Sequence, residues 1–208
     1  MKELTLNIPE SWDEVPVKMF MRLSSLEGNV YDRMLTVISI LSGEDEDDLK
    51  MLPATWLESE GILKRLEFMS KEPEKVMPSE KLTLGGKRYD VGLYPAKWTA
   101  AQYLDYGTVM ADEGGNKIPR LIACFTVPEG KTYGEGYDYS AVVEEISEKM
   151  PITVALGYAG FFLLQLKSFA KAIQRYTDKK NGKSTRRLES RLYRKARKAG
   201  STRSGTAS

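Results

Sequence analysis

Cys124 sits in the apolar run LIACFTV and is the one cysteine of the 208-residue chain. A thiol becomes a nucleophile only where a base or a positive field makes it a thiolate. The chain holds no histidine to serve as that base. Ser-His-Asp and Cys-His mechanisms are therefore excluded, as are zinc sites built on histidine or on four cysteines. Cys124 reads as a small core residue. Without a second cysteine there is no intrachain disulfide, which suits a reducing compartment.

Carboxylates are plentiful, among them Glu58, Glu60, Asp90, Asp105, Asp112 and Glu113. Acid–base chemistry needs a pair whose environments push their proton affinities apart. No spacing marks such a pair. GEDEDDLKML is acidic but lacks the alternating acids and central glycine of a calcium loop, and reads as a solvated helix start. LGGKRY and DEGGNK combine glycine with lysine without the phosphate-loop spacing. YGEGYDY places three tyrosines in a glycine-rich loop. It could stack a ligand or clamp a partner, or be anchored by its own aromatics. The expectation is no catalytic set, no metal and no cofactor.

Charge is segregated. Residues 178–208 carry eleven Lys and Arg against two acids, a net of +9, while residues 1–177 are −7. Arg186, Arg187, Arg191, Arg194, Lys195, Arg197 and Lys198 are the candidate polyanion contacts. Such runs bind phosphate backbones by charge and counterion release. Tyr193 is the segment's one aromatic, so base stacking is poorly supported. The acidic body is the rival partner for this tail.

The elements that would position these residues follow from periodicity and turn chemistry. LTLNI, residues 4–8, alternates as a short strand. Pro16 fits the first turn of a helix bearing Val17, Phe20, Met21 and Leu26, with Gly28 as its stop. Residues 30–41 form a second helix ended by Gly43, and Pro53 opens another through GILKRLEFMS. KEPEKVMPSE has linker composition. LTL and RYDV flank Gly85-Gly86, the signature of a tight hairpin. Thr99 caps the helix WTAAQYLDYGTVMAD. IPRLIACFTV leans to helix, with Pro119 in its first turn. Ser140 caps SAVVEEISEK.

Residues 152–166, ITVALGYAGFFLLQL, are the most apolar stretch. They fall short of the roughly 20 residues that span a bilayer, so a buried helix is expected and no membrane contact. Gly157 and Gly160 would let that helix pack closely. Phe161, Phe162 and Leu164 are its candidate apolar contacts for a partner. The opening MKELTLNIPESW has no apolar core of a signal peptide.

The opening IPESWDEVPVKMFMRLSSLEG resembles the leader of small proteins encoded by tailed bacteriophages, particularly those of gut Bacteroidetes. There a strand and a proline precede Trp, two acids and Val, then a helix beginning near a Phe. Later segments agree in order: GGKRYDV, WTAAQYLDYGTVM, LIACFTVPEG with GYDY, and the long apolar helix. The resemblance covers about residues 1–177 and leaves the basic tail outside. Pro16 stands where that pattern often has a Thr cap. Such proteins are placed with tail assembly chaperones or minor virion components. The resemblance implies a non-enzymatic helical protein that shields a helical client, the tape measure protein, in the host cytoplasm during assembly. The alternative is a virion structural or packaged protein whose tail meets DNA or an acidic partner. Other virion proteins are then its partners, and homo-oligomer formation is left open.

The expected architecture is α+β and predominantly helical. It comprises a strand and helical unit at 1–72, a hairpin and helical unit at 73–177, and a basic flexible tail at 178–208.

Overall fold

The computed structural model describes residues 6–28, 33–53, 55, 61–114, 117–168, 171 and 175. The fold is α+β and predominantly helical, with a three-stranded antiparallel sheet. The chain divides into two compact units, Met1–Leu163 and Leu164–Ser208. The expected boundary after residue 72 lies inside the first unit. In the second, residues 164–168, 171 and 175 are helical.

The expected strand at 4–8 is not formed in its described part: residues 6–8 are irregular, although Ile8 is buried. The N-terminal segment pairs further on. Pro16 bridges Pro151, and Val17 N–H donates to the Met150 carbonyl at 3.0 Å while Ile152 N–H donates to that of Val15 at 2.9 Å. Proline has no N–H, so the flanking residues supply the donors. Thr153 Oγ1 adds a 2.6 Å bond to Asp13. This staple fixes the start of α1, Val17–Ser24. Pro16 is its N-cap rather than part of its first turn. Trp12 covers the helix, packing edge-on to Phe20 and Phe68 at 5.5 and 5.0 Å.

Helix α2, Met34–Ser42, buries Val37, Ile38, Ile40 and Leu41 and ends at Gly43, whose φ of 78° is the left-handed cap. The acidic turn becomes α3, Glu46–Lys50, capped by Asp45. Of the helix expected from Pro53, residues 54 and 56–60 lie outside the described residues; Gly61, at φ 61°, is the N-cap of the short α4, Ile62–Arg65.

Strands β1, Lys81–Leu84, and β2, Lys87–Val91, form the expected hairpin, with Leu84 opposite Lys87. Gly85 and Gly86 have φ of 52° and 81°, the paired left-handed conformation that a two-residue turn requires. Thr99 caps α5, Ala100–Ala111, in a full capping box with Gln102. The run IPRLIACFTV then splits. Its first part is α6, Lys117–Ala123; its end is β3, Thr126–Pro128, paired with β2. A run this rich in apolar residues gives no clear period to separate the two states. Helix α7, Tyr139–Lys149, is capped by Asp138, whose carboxylate accepts Ser140 N–H; Ser140 itself lies inside the helix.

Residues 152–168 form α8. No described helix is long and apolar enough to cross a membrane. The linker at 71–80 is a strap laid across α8. Val76 N–H donates to the Thr153 carbonyl at 3.1 Å, and the Tyr158 hydroxyl bonds Ser79 N–H and carbonyl at 3.0 and 2.7 Å. A Cβ on Gly157 would lie 1.8 Å from the Val76 carbonyl oxygen, whereas one on Gly160 would meet nothing within 4 Å. The close approach expected of these glycines is thus made by Gly157 alone, to an extended segment and not to a helix.

Candidate functional site

Phe162 is fully buried. Its ring stacks on Phe125 at 4.5 Å, and Phe125 on Trp98 at 4.2 Å. It is a core residue and offers no surface to a partner, contrary to the expectation. The reason is helical spacing: residues three apart share a side, and the residue next to the first points about 100° away. Phe161 is half-buried and Leu164 is 67% exposed. The seven candidate polyanion contacts, Arg186 to Lys198, lie outside the described residues.

Helix α5 turns an apolar, uncharged side outward. Its inner side buries Gln102 and Val109 and sets Tyr103 and Tyr106 against Trp98 and Phe125, at 5.4 and 6.4 Å. Its outer side exposes Ala101, Leu104, Gly107, Thr108 and Ala111. Leu104 is 72% exposed and Met110 41%. The helix carries one charge, Asp105, and that carboxylate accepts the Tyr133 hydroxyl at 2.6 Å. A surface helix normally faces water with charged side chains. The absence of charge from AAQYLDYGTVMA, apart from Asp105, is the signal in the sequence for this surface.

The tyrosine loop is anchored by its own aromatics. Tyr133 holds Asp105, and the Tyr139 hydroxyl donates to the Arg120 carbonyl at 2.9 Å. Cys124 lies beneath it, fully buried, with Sγ 3.6 Å from the Tyr139 hydroxyl. Burial pushes the thiol up to about 11, so it is neutral near pH 7.

The candidate carboxylates do not converge. Asp90 pairs with Lys81, Asp105 with Tyr133, and Asp112 with Arg120, whose guanidinium holds that carboxyl below its usual range. Glu113 is exposed, and Glu58 and Glu60 lie outside the described residues. Among the described residues, no three metal-ligating side chains gather.

Among the described residues the one buried carboxylate is that of Glu145 on α7, 7% exposed, which nothing in the sequence marked. Its Oε2 accepts Lys87 Nζ at 2.7 Å and the Tyr89 hydroxyl at 2.8 Å; its Oε1 accepts Lys149 Nζ at 2.7 Å. Burial pushes this carboxyl up, but the two ammonium groups and the hydroxyl outweigh it and hold it at about 2. With three donors on its two oxygens, drawn from both elements, the cluster is a clamp between hairpin and helix. Comparison with protein-family models, with curated proteins and with solved structures found no match.

Proposed function

We propose that this protein is a phage assembly factor of the tail-assembly-chaperone kind, which holds a helical client such as the tape measure protein against the outer face of α5. The observation that carries the reading is the seam formed by Ala101, Leu104, Thr108 and Ala111. Its spacing is that of the a and d positions of a coiled coil, and it is exposed and uncharged. Small residues on either side of Leu104 let a second helix approach closely. The chemistry required is helix-on-helix burial, with no bond made or broken.

Leu104→Glu tests it. The side chain is already in water, so the thermal midpoint should hold while capture of the client from infected-cell extract is lost. Unchanged capture would remove α5 as the contact. Mass spectrometry of purified particles adds a second readout: a chaperone that acts in the host cytoplasm is absent from mature virions.

A second reading rests on the segregated charge, +9 over 178–208 against −7 before it. In it the protein is a virion component, present in particles at fixed copy number, whose tail touches packaged DNA. Its binding to nucleic acid would weaken steeply with salt and disappear on deletion of 179–208.

A further inference from the structure

Helices α1 and α7 pack side by side with opposite chain directions. Lys18 near the start of α1 pairs with Glu148 near the end of α7, and Val17 N–H reaches the Met150 carbonyl. Between them runs an open groove of about 490 Å³. Positions 18, 21 and 22 of α1 with its C-cap Ser25, and 140, 143, 144, 147 and 148 of α7, line it. Each set repeats at i, i+3, i+4 and i+7, the stripe that a helix turns toward a neighbouring helix. Two such stripes facing one trough describe a helical bundle that lacks one member.

The trough has a defined chemistry. Its seam is narrow: Met21 and Val143 are half-buried. The α1 wall is basic, with Lys18 and Arg22; the α7 wall is acidic, with Glu144 and Glu148. Lys18 and Glu148 pair with each other, but Arg22 and Glu144 are exposed and have no partner among the described residues. On the floor, Ser147 is 8% exposed, and its hydroxyl has no hydrogen-bond partner among the described residues. No buried side-chain oxygen or nitrogen among the described residues lacks a partner, so this hydroxyl is open to the groove, where what fills the groove can bond it.

We propose that this groove docks one helix of a partner protein. That helix carries acidic residues on the flank facing Lys18 and Arg22, and basic residues on the flank facing Glu144 and Glu148. Between them runs a short apolar seam with one polar residue opposite Ser147. Walls of opposite sign select such a helix by charge at its two flanks, as flanking residues do in coiled coils. The strongly basic segment 178–208 does not fit, because it would set like charges against Lys18 and Arg22. The site shares no residue with the α5 seam, and it stands whether or not that reading does.

The test uses full-length labelled protein and three synthetic helical peptides about two heptads long. All share one seam; the flanks are acid on one side and base on the other, all Lys, or all Glu. The split peptide should shift resonances of α1 and α7 and bind roughly three- to tenfold more tightly than either single-sign peptide, since each exposed charge pair contributes a factor of about 1.5 to 5. Arg22→Glu, an exposed change that spares the core, should move the preference to the all-Lys peptide. Ser147→Leu should weaken the split peptide when its partner residue is Asn. Any of three results would overturn the proposal: no binding of any peptide, binding indifferent to flank charge, or a wild-type preference for the all-Lys peptide. The last would assign the acidic wall to a basic segment such as 178–208.

Discussion

Glu145→Gln isolates the charge of the one buried carboxylate among the described residues while keeping its shape. The native carboxyl sits at about 2 against an ordinary value of 4.5. Each unit of difference is about 1.4 kcal/mol, so the ionised form contributes at most about 3 kcal/mol at pH 7. The Lys87 and Lys149 side chains are 67% and 46% exposed, and water at their ends screens the attraction. About 2 kcal/mol is then the expected loss for Gln at pH 7. Gln can still accept the Tyr89 hydroxyl, so that buried group keeps a partner.

The sign follows from the depressed value. Above 4.5 both folded and unfolded carboxyls are ionised, and the full stabilisation is present. Below 4.5 the unfolded chain takes up the proton first, and the advantage shrinks until the folded carboxyl titrates near 2. Urea unfolding of wild type and Glu145→Gln at pH 7, 5 and 3 should therefore show a gap that is constant from 7 to 5 and less than half as large at 3. A variant as stable as wild type at pH 7 would refute the clamp. A gap that does not shrink at pH 3 would show that the loss is one of packing and not of charge.

Phe162→Ala should cost about 3–5 kcal/mol by urea unfolding, because the ring is fully buried between aromatic neighbours, and half-buried Phe161→Ala clearly less. Gly157→Ala should destabilise by about 1–3 kcal/mol or more, since the new methyl meets the Val76 carbonyl. Gly160→Ala, in open space on the same helix, should stabilise by about 0.5–1 kcal/mol in the same assay. Cys124, with its thiol held near 11, should be alkylated at pH 8 at least about 100-fold more slowly in the native protein than in urea, and Cys124→Ser should leave client capture unchanged.

Local chemistry was legible in the sequence wherever a backbone conformation demands a particular residue. Gly85-Gly86 announced the hairpin, Thr99 the start of α5, and Gly43 the end of α2. What lacked such a marker was misread. β3 hid in an apolar run that is buried in either state. Helix α4 begins just after Gly61, inside a segment whose apolar spacing looked continuous. The strap at 71–80 is mostly polar, and it is held through its own backbone groups, by the Thr153 carbonyl and the Tyr158 hydroxyl, which leaves no periodic pattern in its side chains; Gly157 marks where its backbone crosses α8.

The same distinction explains why the candidate contact residues moved from α8 to α5. Apolarity ranked residues 152–166 first, but a helix that is apolar on nearly every side has no polar stripe to say which side faces inward. Such a segment is apolar because the fold encloses most of it, and Phe162 is the result. A surface that binds a partner must instead remain in water until the partner arrives. It is found where a helix turns apolar residues outward and omits the charges that would make it content with solvent. Helix α5 does this, with Gln102 and Val109 buried on one side and Leu104 exposed on the other. The informative quantity is therefore the missing charge on a half-buried helix rather than the hydrophobicity of the whole segment, and by that measure α5 outranks α8.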